Sequence, residues 1–189
     1  MKIQKMARTP SNMLALGTKA PVFSLYDTIS DQLLSLQQLR GEKGTVIMFI
    51  CNHCPFVVHV NSELVRMAKM YSATGIGFIA ISSNDVVNYP QDGPDKMKEH
   101  ANDVDYPFPY LYDESQDVAR AYDAACTPDF YAFDSELKLV YRGQLDDSRP
   151  GNGLEVTGHD LRNALNCLTE GKENTAVQKP SIGCNIKWK

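Results

Sequence analysis

The chain has 189 residues, 43% of them hydrophobic and 22% charged, and a formal net charge of −4. That length suits one domain with a sizeable core, and the acidic balance argues against nucleic acid or an anionic membrane as a partner. No run approaches the roughly 20 apolar residues of a membrane span. The apolar residues that follow Lys2, Lys5 and Arg8, Met13 to Leu16, are too few for a signal-peptide core. As written the chain reads as cytoplasmic, and one trimmed of a signal would read the same.

Residues 1–13 are expected to be flexible and 14–189 to form a single domain. Pro21 to Tyr26 and the segment around Leu33-Leu34 suggest a short hairpin. Ser35 then caps a helical turn, Leu36–Leu39, that ends near Gly41. Thr45-Val46-Ile47-Met48-Phe49-Ile50 reads as a buried strand and runs directly into Cys51-Asn52-His53-Cys54-Pro55. From Cys54 to about Thr74 the apolar residues Val57, Val60, Leu64, Ala68 and Tyr71 fall at helical spacing. Phe78–Ser82 reads as a second buried strand, and Asn84–Pro94 as a loop rich in Asn, Asp, Pro and Gly.

A helix near Asp95–Val104 is followed by extended chain to Tyr112, and Ser115 is placed as the N-cap of a helix over Gln116–Tyr122. Phe130–Phe133 and Leu137–Tyr141 flank Asp134-Ser135-Glu136 as a hairpin. A polar loop, 146–158, leads to a last helix over His159–Thr169 that Gly171 stops. Alternating elements with a late hairpin predict a three-layer α/β domain: a central mixed sheet with a parallel core and an N-terminal β extension.

Five cysteines, at 51, 54, 126, 167 and 184, are odd in number and scattered, unlike a disulfide framework. Only Cys51 and Cys54 are close in sequence. A CxxC where a strand gives way to a helix is a redox geometry, because the helix N-terminus offers free N–H groups and positive potential to a thiolate. His53 between the cysteines favours that thiolate if it is protonated or hydrogen-bonded there. A zinc half-site would need a second Cys/His pair with ligand spacing, and none exists, so no metal is assigned. An inert buried pair is disfavoured because such a junction is normally open to solvent.

These residues resemble the thioredoxin-like superfamily: the strand–CxxC–helix unit, Cys126-Thr127-Pro128 before a hairpin, and the final helix. Gly17 to Leu25 and the turn 36–41 resemble its alkyl hydroperoxide reductase/thiol-specific antioxidant branch. Cys51 to Val57, Asn84-Asp85, Tyr89-Pro90, Thr127-Pro128 and the ending Ile182 to Lys189 look like a bacterial group of uncharacterised thioredoxin-like proteins. The resemblance implies Cys51 as attacking and Cys54 as resolving cysteine, with Asn52, His53, Pro55 and Thr127 modulating them. It makes Pro128 a cis-proline whose neighbour offers backbone N–H and C=O to an extended substrate.

A thiol–disulfide oxidoreductase without a cofactor is therefore expected, acting on protein or small-molecule disulfides and thiols. Oligomeric state is left open. Peroxidase chemistry is the competitor, but the peroxiredoxin pattern P-x-x-x-T-x-x-C fails in both registers. From Cys54 its slots hold Ile47 and Cys51; from Cys51 they hold Gly44 and Met48. Arg142 and Arg149 are read as solvated surface residues. A redox-sensing or binding module is the third reading. Cys126 and Cys184 are possible extra thiols: for Cys126 a packed small hydrophobe is preferred, and for Cys184 a resolving role and a packed tail stay open. Cys167 is placed in the core, and His59, about 140° around the helix from Cys54, on the surface.

Overall fold

Gly44–Phe49 (β4) is buried along its whole length, as expected of a strand covered on both faces. The computed structural model that shows this describes residues 8–189. Strand β4 lies between Ile76–Ser82 (β5), parallel to it, and Asp129–Asp134 (β8), antiparallel. Outward from β5 come Tyr110–Tyr112 (β6) and the hairpin Ser24–Asp27 (β2) and Gln32–Ser35 (β3). Leu139–Gly143 (β9) closes the other edge. The order in this seven-stranded mixed sheet is β3-β2-β6-β5-β4-β8-β9.

Alternation along β4 sorts the two cores. Val46 and Met48 pack with Pro55–Ser72 (α2), Pro94–Val104 (α3) and His159–Glu170 (α5). Ile47 and Phe49 face the layer that includes Leu36–Leu39 (α1) and Asp117–Ala121 (α4). The result is the predicted three-layer α/β arrangement. Ser35 caps α1 through a full capping box with Gln38, and Gly171 ends α5 in the left-handed conformation, φ 66°. Among the described residues no helix is long and apolar enough to cross a membrane.

Several expectations need correction. Residues 1–7 of the segment expected to be flexible lie outside the described residues, but Arg8–Pro10 forms a strand (β1) and Ser11 is buried. Its partner is a strand the sequence did not suggest, Ile182–Asn185 (β10), which also pairs with Cys126–Thr127 (β7) to make a second sheet, β1-β10-β7. The N-cap of α4 is Gln116, at φ 67°, rather than Ser115. Ser115 Oγ still accepts from the Asp117 amide at 3.2 Å.

Candidate redox site

The carboxyl end of β4 delivers Cys51, and Cys54 is the N-cap of α2, whose first turn carries Pro55 at a position that needs no N–H. Three free thiols meet here: Cys51, Cys54 and Cys184 are all buried and belong to one core cluster. Cys51 Sγ lies 3.5 Å from Thr127 Oγ1, and Cys54 Sγ lies 3.1 Å from the Thr127 carbonyl oxygen. The Thr127–Pro128 peptide is cis, as the resemblance implied. The junction is not open to solvent as expected: Cys51 is 2% exposed. Thr127 packs against it, and Thr127 is itself paired with β10.

Hydrogen bonds from Cys184 and Cys51 drive the Cys54 thiol far below its ordinary range, against the opposing effect of burial. The same contacts drive the partners up: interaction with Cys54 and burial, then the Asp92 charge, raise Cys51, and Cys54 with burial raises Cys184. The Cys54 contact with the Thr127 carbonyl suits a thiol and opposes ionisation. The two thiol donors outweigh it, so ionisation in the cluster is favoured at Cys54 over Cys51 and Cys184.

Beside the thiols sits a residue that spacing could not reveal. Asp92, in a 3₁₀ turn over Pro90–Asp92, is fully buried. Its Oδ1 accepts from the Asn52 amide at 3.0 Å, and its Oδ2 from Asn84 Nδ2 at 2.9 Å. Oδ2 also lies 2.6 Å from His53 Nδ1, without the alignment of a hydrogen bond. His53 stacks on Tyr89, ring centroids 5.9 Å apart. Asn52 is held further by donation to the Gln91 carbonyl at 2.8 Å and by the Tyr110 hydroxyl at 3.0 Å. His53 thus faces Asp92, and of the two it is the Asp92 charge that acts on Cys51, raising the thiol.

Cys51, His53 and Asp92 bring one ligand atom each within 4.8 Å of one another. These three residues could hold a metal ion, although the Asp92 carboxylate is already engaged by three neighbours. Cys126 is buried, its Sγ 3.7 Å from the Pro128 carbonyl, and burial raises its thiol well above the ordinary range. Cys167 is only half-buried and lines a cleft with Leu16, Val140 and Lys172, not the core.

Arg142 is not solvated but wholly buried, in an ion pair with Asp129 at 3.1 Å, because β8 and β9 place it opposite Tyr131. Arg149 is half-buried, donating to the Ser148 carbonyl at 2.7 Å. His59 is also half-buried, its Nε2 2.8 Å from Ser148 Oγ. With Phe56, Pro128 and Phe130, Arg149 and His59 line a small cleft.

The AhpC/TSA family model matches residues 16–142. The chain belongs to the AhpC/TSA family. It is similar to an uncharacterized conserved protein from Geobacillus kaustophilus, at 58% identity and TM-score 0.96 over 97% of each chain. A hypothetical protein from Sinorhizobium meliloti 1021, SMc02350, matches at 45% identity and TM-score 0.93, over 96% of this chain and 98% of that one. At the level of fold it is similar to the thioredoxin domain of a thiol-disulfide oxidoreductase from Bacteroides vulgatus, at 19% identity and TM-score 0.59. That match covers 69% of this chain and 89% of the other. No curated protein sequence matches. Family and fold together make this a thioredoxin-like protein of a thiol redox family.

Proposed function

We propose that the protein is a thiol–disulfide oxidoreductase that cycles Cys51 and Cys54 between dithiol and disulfide, using small-molecule disulfides or partner thiols. The observation that carries this reading is the meeting of both sulfurs with Thr127 at the N-terminus of α2. In the oxidative half-cycle Cys51 attacks a disulfide R–S–S–R′, its proton passes to the Cys54 thiolate, and R′–S⁻ leaves. Cys54 then attacks the Cys51 sulfur of the mixed disulfide, and its proton accompanies the departing R–S. One substrate disulfide is reduced to two thiols as the Cys51–Cys54 disulfide forms.

The substrate preference follows from access. The backbone beside the cis-proline, which the resemblance offers to an extended substrate, already pairs with β10, Thr127 opposite Cys184. A compact disulfide therefore suits the site better than a long strand laid along Thr127. Reduced protein mixed with oxidised glutathione should form the Cys51–Cys54 disulfide and release two equivalents of glutathione, and the Cys54→Ser variant should not. Equal release by both proteins would refute the reading.

The same burial favours a second reading, a thiol peroxidase, since a peroxide is small enough to reach a sulfur 2% exposed. Against it, Arg142 is committed to Asp129 and cannot polarise a peroxide. Peroxide consumption with a dithiol donor, no faster than in a cysteine-free variant, would remove this second reading.

A further inference from the structure

Residues 182–189 are built into the site rather than appended to it. Strand β10 lies against β7 with Cys184 opposite Thr127 and Asn185 opposite Cys126. Gly183 lets it lie flush, since a Cβ there would fall 1.9 Å from the Thr127 carbonyl oxygen. Ser181 Oγ donates to the Pro128 carbonyl at 2.6 Å. Beyond the strand, the Ile186 amide donates to the Ala125 carbonyl at 3.2 Å, the Lys187 amide to Asn84 Oδ1 at 2.8 Å, and the Lys187 carbonyl accepts from the Asp85 amide at 2.8 Å. Asn84 is the residue whose amide also holds Asp92. Contacts of this kind on both sides of Cys184 fix its sulfur in register with the CxxC.

Cys184 is buried in the same core cluster as Cys51 and Cys54, and it sits opposite Thr127, whose carbonyl oxygen lies 3.1 Å from Cys54 Sγ. The Cys54 thiol responds to both neighbours, Cys184 and Cys51. A packed tail residue would explain the burial of Cys184. It would not explain why the strand brings a thiol, of all side chains, to the second cysteine of the redox pair. The residue also lies beyond 16–142, the span the family model covers.

We propose that Cys184 is a third redox thiol, which takes over the disulfide from Cys51 by attacking Cys54. This step rests on the oxidoreductase reading above, which supplies the Cys51–Cys54 disulfide. The Cys184 sulfur bonds to Cys54, the Cys51–Cys54 bond breaks, and the proton of Cys184 ends on Cys51. One disulfide and one thiol give one disulfide and one thiol, so no further oxidant or reductant is required. The product disulfide, Cys54–Cys184, ties the start of α2 to the C-terminal strand and returns Cys51 to its thiol form.

The test uses the full chain oxidised with glutathione disulfide, quenched in acid, labelled with iodoacetamide under denaturing conditions and mapped by mass spectrometry. Wild type should contain both Cys51–Cys54 and Cys54–Cys184, with Cys51 labelled in the second population. Cys184→Ser should form Cys51–Cys54 alone and lose the Cys51 label. Cys51→Ser, in which Cys184 is untouched, should form Cys54–Cys184 with diamide. If Cys51–Cys54 forms in wild type and Cys184→Ser while Cys54–Cys184 appears in neither wild type nor Cys51→Ser, the relay is overturned and the oxidoreductase reading stands. If no protein forms Cys51–Cys54, both fall.

Discussion

Two buried polar clusters flank the cis-proline. Before it lie the thiols of Cys51, Cys54 and Cys184 around Thr127; after it lies Asp129, paired with Arg142. Both are sealed from bulk water, yet they differ in what they are free to do. The Asp129–Arg142 pair is held through Arg142 Nη2, while Arg142 Nε and Nη1 and Asp129 Oδ1 find no hydrogen-bond partner among the described residues. Arg142 Nη2 donates to the Asp123 carbonyl at 2.7 Å as well as to Asp129, and the guanidinium lies 4.4 Å from the centre of the Tyr131 ring. The thiol cluster has half-exposed neighbours in Asn52 and His53, and under the proposed cycle its members exchange bonds and protons with one another. Burial in one place protects a fixed charge; in the other it sets the reactivity of a mobile one.

Substitutions on the two sides should therefore separate activity from stability. Cys51→Ser should abolish disulfide turnover while moving the midpoint of urea unfolding little, because it exchanges one small buried group for another. Arg142→Met should do the reverse. It leaves Asp129 buried without its cation, at a cost of about 3–5 kcal/mol, and leaves the thiols able to form Cys51–Cys54. Urea unfolding and thiol titration of the same two variants check this pair.

The Arg142→Met loss should also depend on pH. Burial pushes the Asp129 carboxyl up to about 7 even beside Arg142, well above its unfolded value of about 3.9. A native carboxyl with a raised pKa contributes stability that is fully present below the unfolded value and lost as pH rises through the folded one. Without Arg142 the folded value climbs further, so the penalty should be smallest near pH 4 and grow towards pH 8. A penalty independent of pH would contradict the burial assignment.

On the thiol side, thiolate absorbance of the reduced protein should already be present at pH 6, where an ordinary thiol with a pKa of about 8.5 is almost fully protonated. It should disappear in Cys54→Ser. Smaller still is the effect of Asp92→Asn, which removes the charge that raises Cys51 while keeping a similar shape. The Cys51 thiol of this variant should ionise at a lower pH than in wild type, read as a lower pH midpoint for alkylation of Cys51 by iodoacetamide. An unchanged or higher midpoint would remove Asp92 from the tuning of the pair.

The contrast also marks what could be read from the sequence. The apolar run in β4, the 3.6-residue stripe of α2 and the CxxC between them are local patterns, so the layers and the redox pair were legible. Asp92 was not, because nothing in a loop rich in Asn, Asp and Pro says which carboxylate turns inward. It acquires its role only when the 3₁₀ turn docks on the Asn52 amide. β10 was missed because its short strand draws its stability from two distant partners, β1 and β7. Arg142 was misread as solvated, although an arginine in Leu139-Val140-Tyr141-Arg142-Gly143 interrupts an apolar strand. Such a position calls for an anion on the same face of the neighbouring strand, and Asp129, two residues before Tyr131 in β8, supplies it.

The most direct test of the redox account is an equilibrium titration of the wild-type protein in glutathione buffers, with acid quenching and a count of free thiols by mass. One two-electron transition that consumes two thiols per chain, with Cys51–Cys54 among its products, is expected, and it should disappear in the Cys54→Ser variant, which lacks the sulfur that both disulfides share. A thiol count that stays constant across the series, or the same transition in both proteins, would contradict it.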